Sequence, residues 1–185
     1  VGAASRHVAS GAPERLVTDT DGAAAPRIGI GYDSHRFAEG GPMILAGVRI
    51  PSDVRLVGHS DGDAISHAVT DAVLGAAGQG DIGAMFSDRD EVNRGRDSIE
   101  MLRAAIAVVA RSGWRVGNID VTVIAEHPRI GPHREMMRRS LSAVLECDPA
   151  SISLKGKTNE GMGWIGREEG LACIAVAMLF PARSR

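Results

Sequence analysis

The sequence predicts an α+β domain, a small mixed sheet with helices packed on one face. Two observations predict it. Segments of two-residue apolar alternation are interleaved with segments whose apolar residues recur at helical spacing. Their order is two strands, two helices, a strand, a helix and two strands, the order of a layered α+β domain.

The first strand begins at Arg27, where Arg27 to Asp33 alternates, and a second follows over Met43 to Val48, ending near Pro51. A helix opens at His59 to Asp63, with Ser60 read as its N-cap and Asp63 completing the S-x-x-D signal. Ile65, Ala68, Val69, Ala72, Val73 and Ala76 give it one apolar stripe, and Gly78 and Gly80 end it. The next helix runs from about Ser98 to Arg111, directing Leu102, Ala105, Ile106 and Val109 inward before Gly113. Asn118 to Glu126 alternates as a half-buried strand. Pro132 suits the first turn of a third helix that carries Met137, Leu141, Val144 and Leu145 inward. Ser151 to Lys157 and Leu171 to Phe180 supply the last two strands.

A chain of 185 residues with 44% hydrophobic residues is long enough for one domain with its own core. The expected division is a leader or linker over 1–26, rich in Ala, Gly, Ser and Asp, a domain over 27–182 and a short tail over 183–185. Lys plus Arg total 21 against 23 Asp plus Glu, a formal net charge of -2. That balance gives no general pull toward nucleic acid or anionic membrane, and no apolar stretch approaches the roughly 20 residues of a bilayer span. Cys147 and Cys173 form no CxxC pair, so no disulfide framework is expected and a reducing cytoplasm suits the chain.

Asp33-Ser34-His35 carries the strongest chemical signal. Residues two apart on a strand share a face, so this carboxylate and imidazole converge on one point. His67, in the early turns of the first helix, is the natural third ligand. Asp/His/His with an open fourth place is a catalytic zinc arrangement. A strand-edge ion pair between Asp33 and His35 accounts for the spacing equally well. His59 and Ser60 sit where a helix start offers N–H groups to phosphate, although plain capping is the simpler reading of those two residues alone. Asp63 and Asp71 flank His67 and are either acceptors that orient its ring or solvated carboxylates. Lys157-Thr158-Asn159-Glu160 follows a strand between glycines, suited to a diphosphate and a hard divalent ion, or to an ordinary polar turn.

Five ordered blocks, RIGIGYDSHRF, GHSDGDAISHAVTDAVLGA, GDIGAMFSD, IAEHPRIGPH and KTNEGMGWIGREEG, resemble the 2-C-methyl-D-erythritol 2,4-cyclodiphosphate synthase family of the non-mevalonate isoprenoid pathway. The resemblance covers Arg27 to Phe180. It implies a lyase that converts 4-diphosphocytidyl-2-C-methyl-D-erythritol 2-phosphate into the 2,4-cyclodiphosphate and releases CMP. It implies zinc, or another divalent transition metal, at Asp33, His35 and His67. It places a second ion, magnesium or manganese, at Glu160. His59 and Thr158 match the catalytic pair that steadies the pentavalent phosphorus. Ala125, His127, Pro128, Arg129, Ile130 and Gly131 match the cytosine-holding stretch, and Asp81, Ile82 and Gly83 the polyol contact. Phe86, Asp88, Ser60, Lys157, Asn159, Trp164 and Arg167 complete the expected substrate contacts. The family is homotrimeric, with active sites between subunits and a central apolar cavity near Arg167 and Glu169. The sequence departs from the commonest family pattern at Arg129, Lys157, Asn159, Trp164 and Glu168, and at no proposed metal ligand. Two other readings of the same residues are a zinc phosphohydrolase and a zinc-stabilised trimer without activity.

Overall fold

The computed structural model describes residues 24–87 and 90–182. Strand β1 (Arg27–Glu39) leads to a hairpin of β2 (Met43–Leu45) and β3 (Val48–Ile50), then to β4 (Val54–Val57) and helix α1 (Ala64–Ala77). A short α2 (Ile82–Met85) precedes α3 (Ser98–Arg111), β5 (Trp114–Ile124), α4 (Arg134–Leu145), β6 (Ile152–Lys157), a short α5 (Gly163–Gly166) and β7 (Gly170–Pro181). The main sheet has the order β4-β1-β7-β5-β6. Only β5 and β6 run parallel, so the sheet is mixed as expected.

Helix α1 lies across β1 and β7, with α3 beside it and α4 against α3 and β6, all on one face. Every residue of the predicted α1 stripe is buried. The approach of α1 to β1 depends on two missing side chains. A Cβ at Gly29 would stand 2.2 Å from the Ala72 carbonyl oxygen, and one at Gly31 only 1.9 Å from that of Ala68. Ala68, Ala72 and Ala76 are the matching small residues on the helix. This contact sets His67 over Asp33. Gly31→Ala is therefore expected to lower stability by about 3 kcal/mol in urea unfolding, because backbone rather than a flexible side chain is in the way. A loss under about 0.5 kcal/mol would mean that α1 is free to lift.

Several boundaries differ from the sequence expectation. β1 continues past Asp33 to Glu39 because Arg36 to Glu39 find pairing partners in β4. The strand expected over Met43 to Val48 is a hairpin, turning at Ala46 (φ 51°) and Gly47 (φ 71°). The helix does not start at Ser60. Asp63 is its N-cap and accepts from Ser66 N–H, while positive φ at Gly62 keeps the preceding residues irregular. Pro132 lies in a 3-10 turn ahead of α4 rather than in the helix itself. Residues 1–23 of the expected 1–26 leader, the tail over 183–185 and Asp88 fall outside the described residues, whereas Ala24, within the expected leader, packs against the core. Among the described residues no helix is long and apolar enough to cross a membrane.

Candidate active site

Strand periodicity turns Asp33 and His35 toward the helical layer, and the tight α1 contact brings His67 to meet them. Asp33 Oδ2 lies 2.9 Å from His35 Nε2 and 3.1 Å from His67 Nδ1, and the two ring nitrogens are 3.3 Å apart. These atoms form one candidate metal cluster, and among the described residues no second group of His, Cys, Asp and Glu gathers as closely. A tetrahedral ion bound at about 2.0–2.1 Å holds its ligands about 3.3 Å apart, so the triangle fits zinc after small side-chain shifts. The strand-edge ion pair and the metal set are thus compatible, because protons hold the same three groups together.

Burial pushes the Asp33 carboxyl up, but hydrogen bonds and charge from both imidazoles outweigh it and bring it down to about 2. Burial pulls His35 down, while its bond to Asp33, that carboxylate's charge and the Val57 carbonyl raise it above the ordinary histidine value. Without metal, the raised His35 stabilises the fold below about pH 6.5, and that contribution is lost as pH rises through the folded value. A metal must displace the His35 proton, so its affinity should fall as pH drops through the same range, while Asp33 offers no competing proton above about pH 3. Calorimetric zinc titrations in buffers of different ionisation enthalpy should register proton release. Affinity that stays constant from about pH 5 to 8 would contradict this.

The orienting groups are not those expected. His35 Nδ1 donates to the Val57 carbonyl at 2.8 Å, which leaves Nε2 free to face the cluster. His67 Nε2 faces the hydroxyls of Ser60 and Ser98, each at 2.9 Å. Asp63 instead is fully buried and holds Ala46 N–H, Gly47 N–H and Ser66. Asp71 accepts from Ile82 N–H and so positions α2. The N-terminal Ser66 N–H of α1 is already occupied by Asp63, so phosphate does not meet a bare helix end there. Asp61 and Ser98 were missed. Asp61 sits inside the GHSDGD block, but nothing in the spacing links it to Ser98, which is 37 residues away.

A cavity of about 250 Å3 opens beside the cluster, lined by His35, His59, Ser60, His67, Ile82, Gly83 and Phe86 among others. Asp81 is not in this lining; its side chain caps α2 by accepting from Ala84 N–H. A second cavity of about 410 Å3 is lined by Ala125, Glu126, His127, Pro128, Arg129, Ile130, Gly131, Arg134, Gly156, Lys157 and Thr158. The two share no residue. Glu126 ties the cavity loops together by accepting from Asn159 N–H and Gly161 N–H. Thr158 donates to Glu160 at 2.9 Å, and Glu160 has φ 51°. Neither Asn159 nor Glu160 lines either cavity, and Glu160 stands outside the metal cluster. Trp164 lines a third hollow with Ser34, His35, Arg36 and Glu169, whereas Arg167 pairs with Glu169 at 2.7 Å.

A family model described as the YgbB family matches residues 26–180. A protein of Gemmatimonas aurantiaca named 2-C-methyl-D-erythritol 2,4-cyclodiphosphate synthase is 63% identical over 83% of this chain and 92% of its own length. One of the same name from Proteus mirabilis is 49% identical over 83% of this chain and 96% of its own. Among solved structures, the bifunctional IspDF from Campylobacter jejuni matches with a TM-score of 0.82 at 38% identity. That match covers 85% of this chain but only 43% of the bifunctional one. The Plasmodium falciparum IspF in its CDP complex matches with a TM-score of 0.76 at 37% identity, over 85% of this chain and 97% of that one. The matched span, the identity to curated relatives and the shared fold of the solved structures agree, and the chain belongs to the YgbB family, that of the 2-C-methyl-D-erythritol 2,4-cyclodiphosphate synthases.

Proposed function

We propose that this chain converts 4-diphosphocytidyl-2-C-methyl-D-erythritol 2-phosphate into 2-C-methyl-D-erythritol 2,4-cyclodiphosphate with release of CMP. The observation that carries the reading is the convergence of Asp33, His35 and His67 on one point at the edge of a cavity. Zinc held there supplies a Lewis acid that neutralises and aligns phosphate oxygens. The chain's own groups do the rest. His59 and Ser60 offer donors to the phosphate beside the cluster, and Ile82 and Gly83 bound the space for the polyol. Ala125 to Gly131 form the wall for the cytosine, with Arg129, Lys157 and Thr158 toward the diphosphate. Glu160 is the carboxylate for a second ion, magnesium or manganese. Its bond from Thr158 ties that carboxylate to one member of the His59 and Thr158 pair that steadies phosphorus. The substrate's 2-phosphate oxygen attacks the β-phosphorus of its own diphosphate arm, the ring P–O bond forms, and the bond to CMP breaks. Positioning within one molecule accounts for most of the rate.

The working assembly in this reading is a homotrimer built from the 27–182 domain. Ile28 (67% exposed), Ile30 (69%), Tyr32 and Val176 form an apolar stripe on the sheet face away from the helices. A stripe of this kind favours burial against another copy. Such packing would complete a site whose two cavities share no residue within one chain. Ile30→Asp is expected to yield monomers in sedimentation with at least about tenfold lower activity, since a buried unpaired charge costs several kcal/mol. A fully active monomer would separate catalysis from assembly. A reducing cytoplasm fits the two free cysteines.

Mass analysis after incubation with the cytidine substrate tests the activity. Ring closure gives a cyclic diphosphate and CMP. A phosphohydrolase gives an open product heavier by a water, and an inactive zinc trimer leaves the substrate intact.

A further inference from the structure

Behind His67 lie Ser60, Ser98 and Asp61, and the hydrogen bonds of Asp61 fix the direction of the Ser98 hydroxyl. Asp61 is a carboxylate and only accepts. Its Oδ1 takes Asp63 N–H at 3.1 Å and the Ser98 hydroxyl, and its Oδ2 takes Ser98 N–H at 3.2 Å. The Ser98 hydroxyl has a single proton, and that proton is directed to Asp61. Toward His67, Ser98 Oγ therefore presents a lone pair at 2.9 Å from Nε2. In the metal-free chain Nδ1 donates to the Asp33 carboxylate at 3.1 Å; with Nε2–H held by Ser98, the proton that a metal would displace is the one on Nδ1, the atom that faces Asp33 and His35.

Ser60 is the same distance from Nε2 but has no comparable constraint. Its oxygen accepts a long 3.4 Å contact from Gly62 N–H, and its proton is free to turn toward either Ser98 or His67. Donation from Ser60 to Nε2 would favour the opposite tautomer. Ser98 is also the better fixed of the two, fully buried as the first residue of α3 after the Asp97 cap.

We propose that Asp61 and Ser98 form a positioning relay that holds the His67 proton on Nε2 and so presents the Nδ1 lone pair to the metal. The relay rests on the metal role of Asp33, His35 and His67. A carboxylate behind the hydroxyl makes Ser98 a stronger acceptor for the His67 Nε2–H and fixes the ring's orientation.

Zinc alone is the probe, titrated into metal-depleted Ser98→Ala, Ser60→Ala and Asp61→Asn variants of the whole chain. Ser98→Ala is expected to weaken zinc about 10- to 100-fold, the usual range for removing an outer partner of a metal-bound histidine. Ser60→Ala should weaken it much less, because Ser98 still fixes the ring. Asp61→Asn should weaken zinc in the same direction as Ser98→Ala, since its neutral amide is a poorer acceptor than the carboxylate and no longer fixes the Ser98 hydroxyl proton away from His67. In the zinc-loaded wild type, the His67 Nε2–H resonance should be protected from solvent exchange, and in Ser98→Ala it should lose that protection. Should Ser98→Ala fail to fold, Asp61→Asn and the wild-type exchange measurement still decide. A merely structural role would lower the melting temperature of the metal-free variants while leaving zinc affinity and the exchange rate as in wild type, and that result overturns the relay. Equal losses in Ser98→Ala and Ser60→Ala overturn it too. If wild-type protein binds no zinc that Asp33→Ala removes, the metal reading itself has failed, a result separable from wild-type affinity in Ser98→Ala.

Discussion

His67→Ala should reduce cyclic product formation by about three orders of magnitude or more, the scale of several kcal/mol of charge stabilisation withdrawn from the reaction. Two ligands would remain, Asp33 and His35, both on β1 and too few to close a tetrahedral site. The fold should survive. The site lies at a cavity wall rather than in the packed centre of α1, and alanine suits a helix interior. Circular dichroism should therefore report a normal helix content while zinc binding falls with turnover. Wild-type turnover with undiminished zinc would remove His67 from the ligand set. Loss of folding would instead mean that the His67 contacts to Ser60 and Ser98 hold the loop before α1.

The second large effect concerns stability rather than chemistry. Asp63→Ala should cost about 3–5 kcal/mol, a substantial part of the total for a domain of this size. Asp63 is completely buried, and no basic side chain pairs with it among its hydrogen-bond partners. Burial pushes its carboxyl up, against four hydrogen bonds that favour the ionised form: Ala46 N–H at 2.8 Å, Gly47 N–H at 2.6 Å, and Ser66 through N–H at 3.0 Å and its hydroxyl at 2.8 Å. Removing it leaves buried donors without acceptors. It also frees the β2–β3 turn, where Ala46 is held at a positive φ that a Cβ disfavours. Asp63→Asn should rescue little, because its amide turns a donor toward other donors. Urea unfolding measures both variants. A loss below about 1 kcal/mol in Asp63→Ala would show that water replaces the carboxylate at no great cost.

The sequence made the two-residue spacing of Asp33 and His35 readable because strand geometry is local, and the apolar stripe of α1 was readable for the same reason. The helix start was displaced by three residues. Ser60 and Asp63 both carry capping chemistry, and only the tertiary pull of the β2–β3 turn on Asp63 decides between them. That turn was hidden because Ala46 is an unusual residue at positive φ, so the stretch from Met43 to Val48 passed for one strand. The extension of β1 to Glu39 depends on β4, whose four residues are too few to announce a strand. Resemblance supplied the separate roles of the two cavity walls. Composition alone could not have joined the Ala125 to Gly131 loop to Lys157 and Thr158, which meet because β5 and β6 run parallel and end together.

The central claim is that Asp33, His35 and His67 hold a metal without which the ring does not close. Its most direct test is to titrate zinc back into fully metal-depleted protein and record bound zinc per chain and cyclic product formed in the same samples. Product should rise in proportion to bound zinc and level off at one tightly held ion per chain. Full cyclic product from protein that carries no divalent ion would contradict the claim.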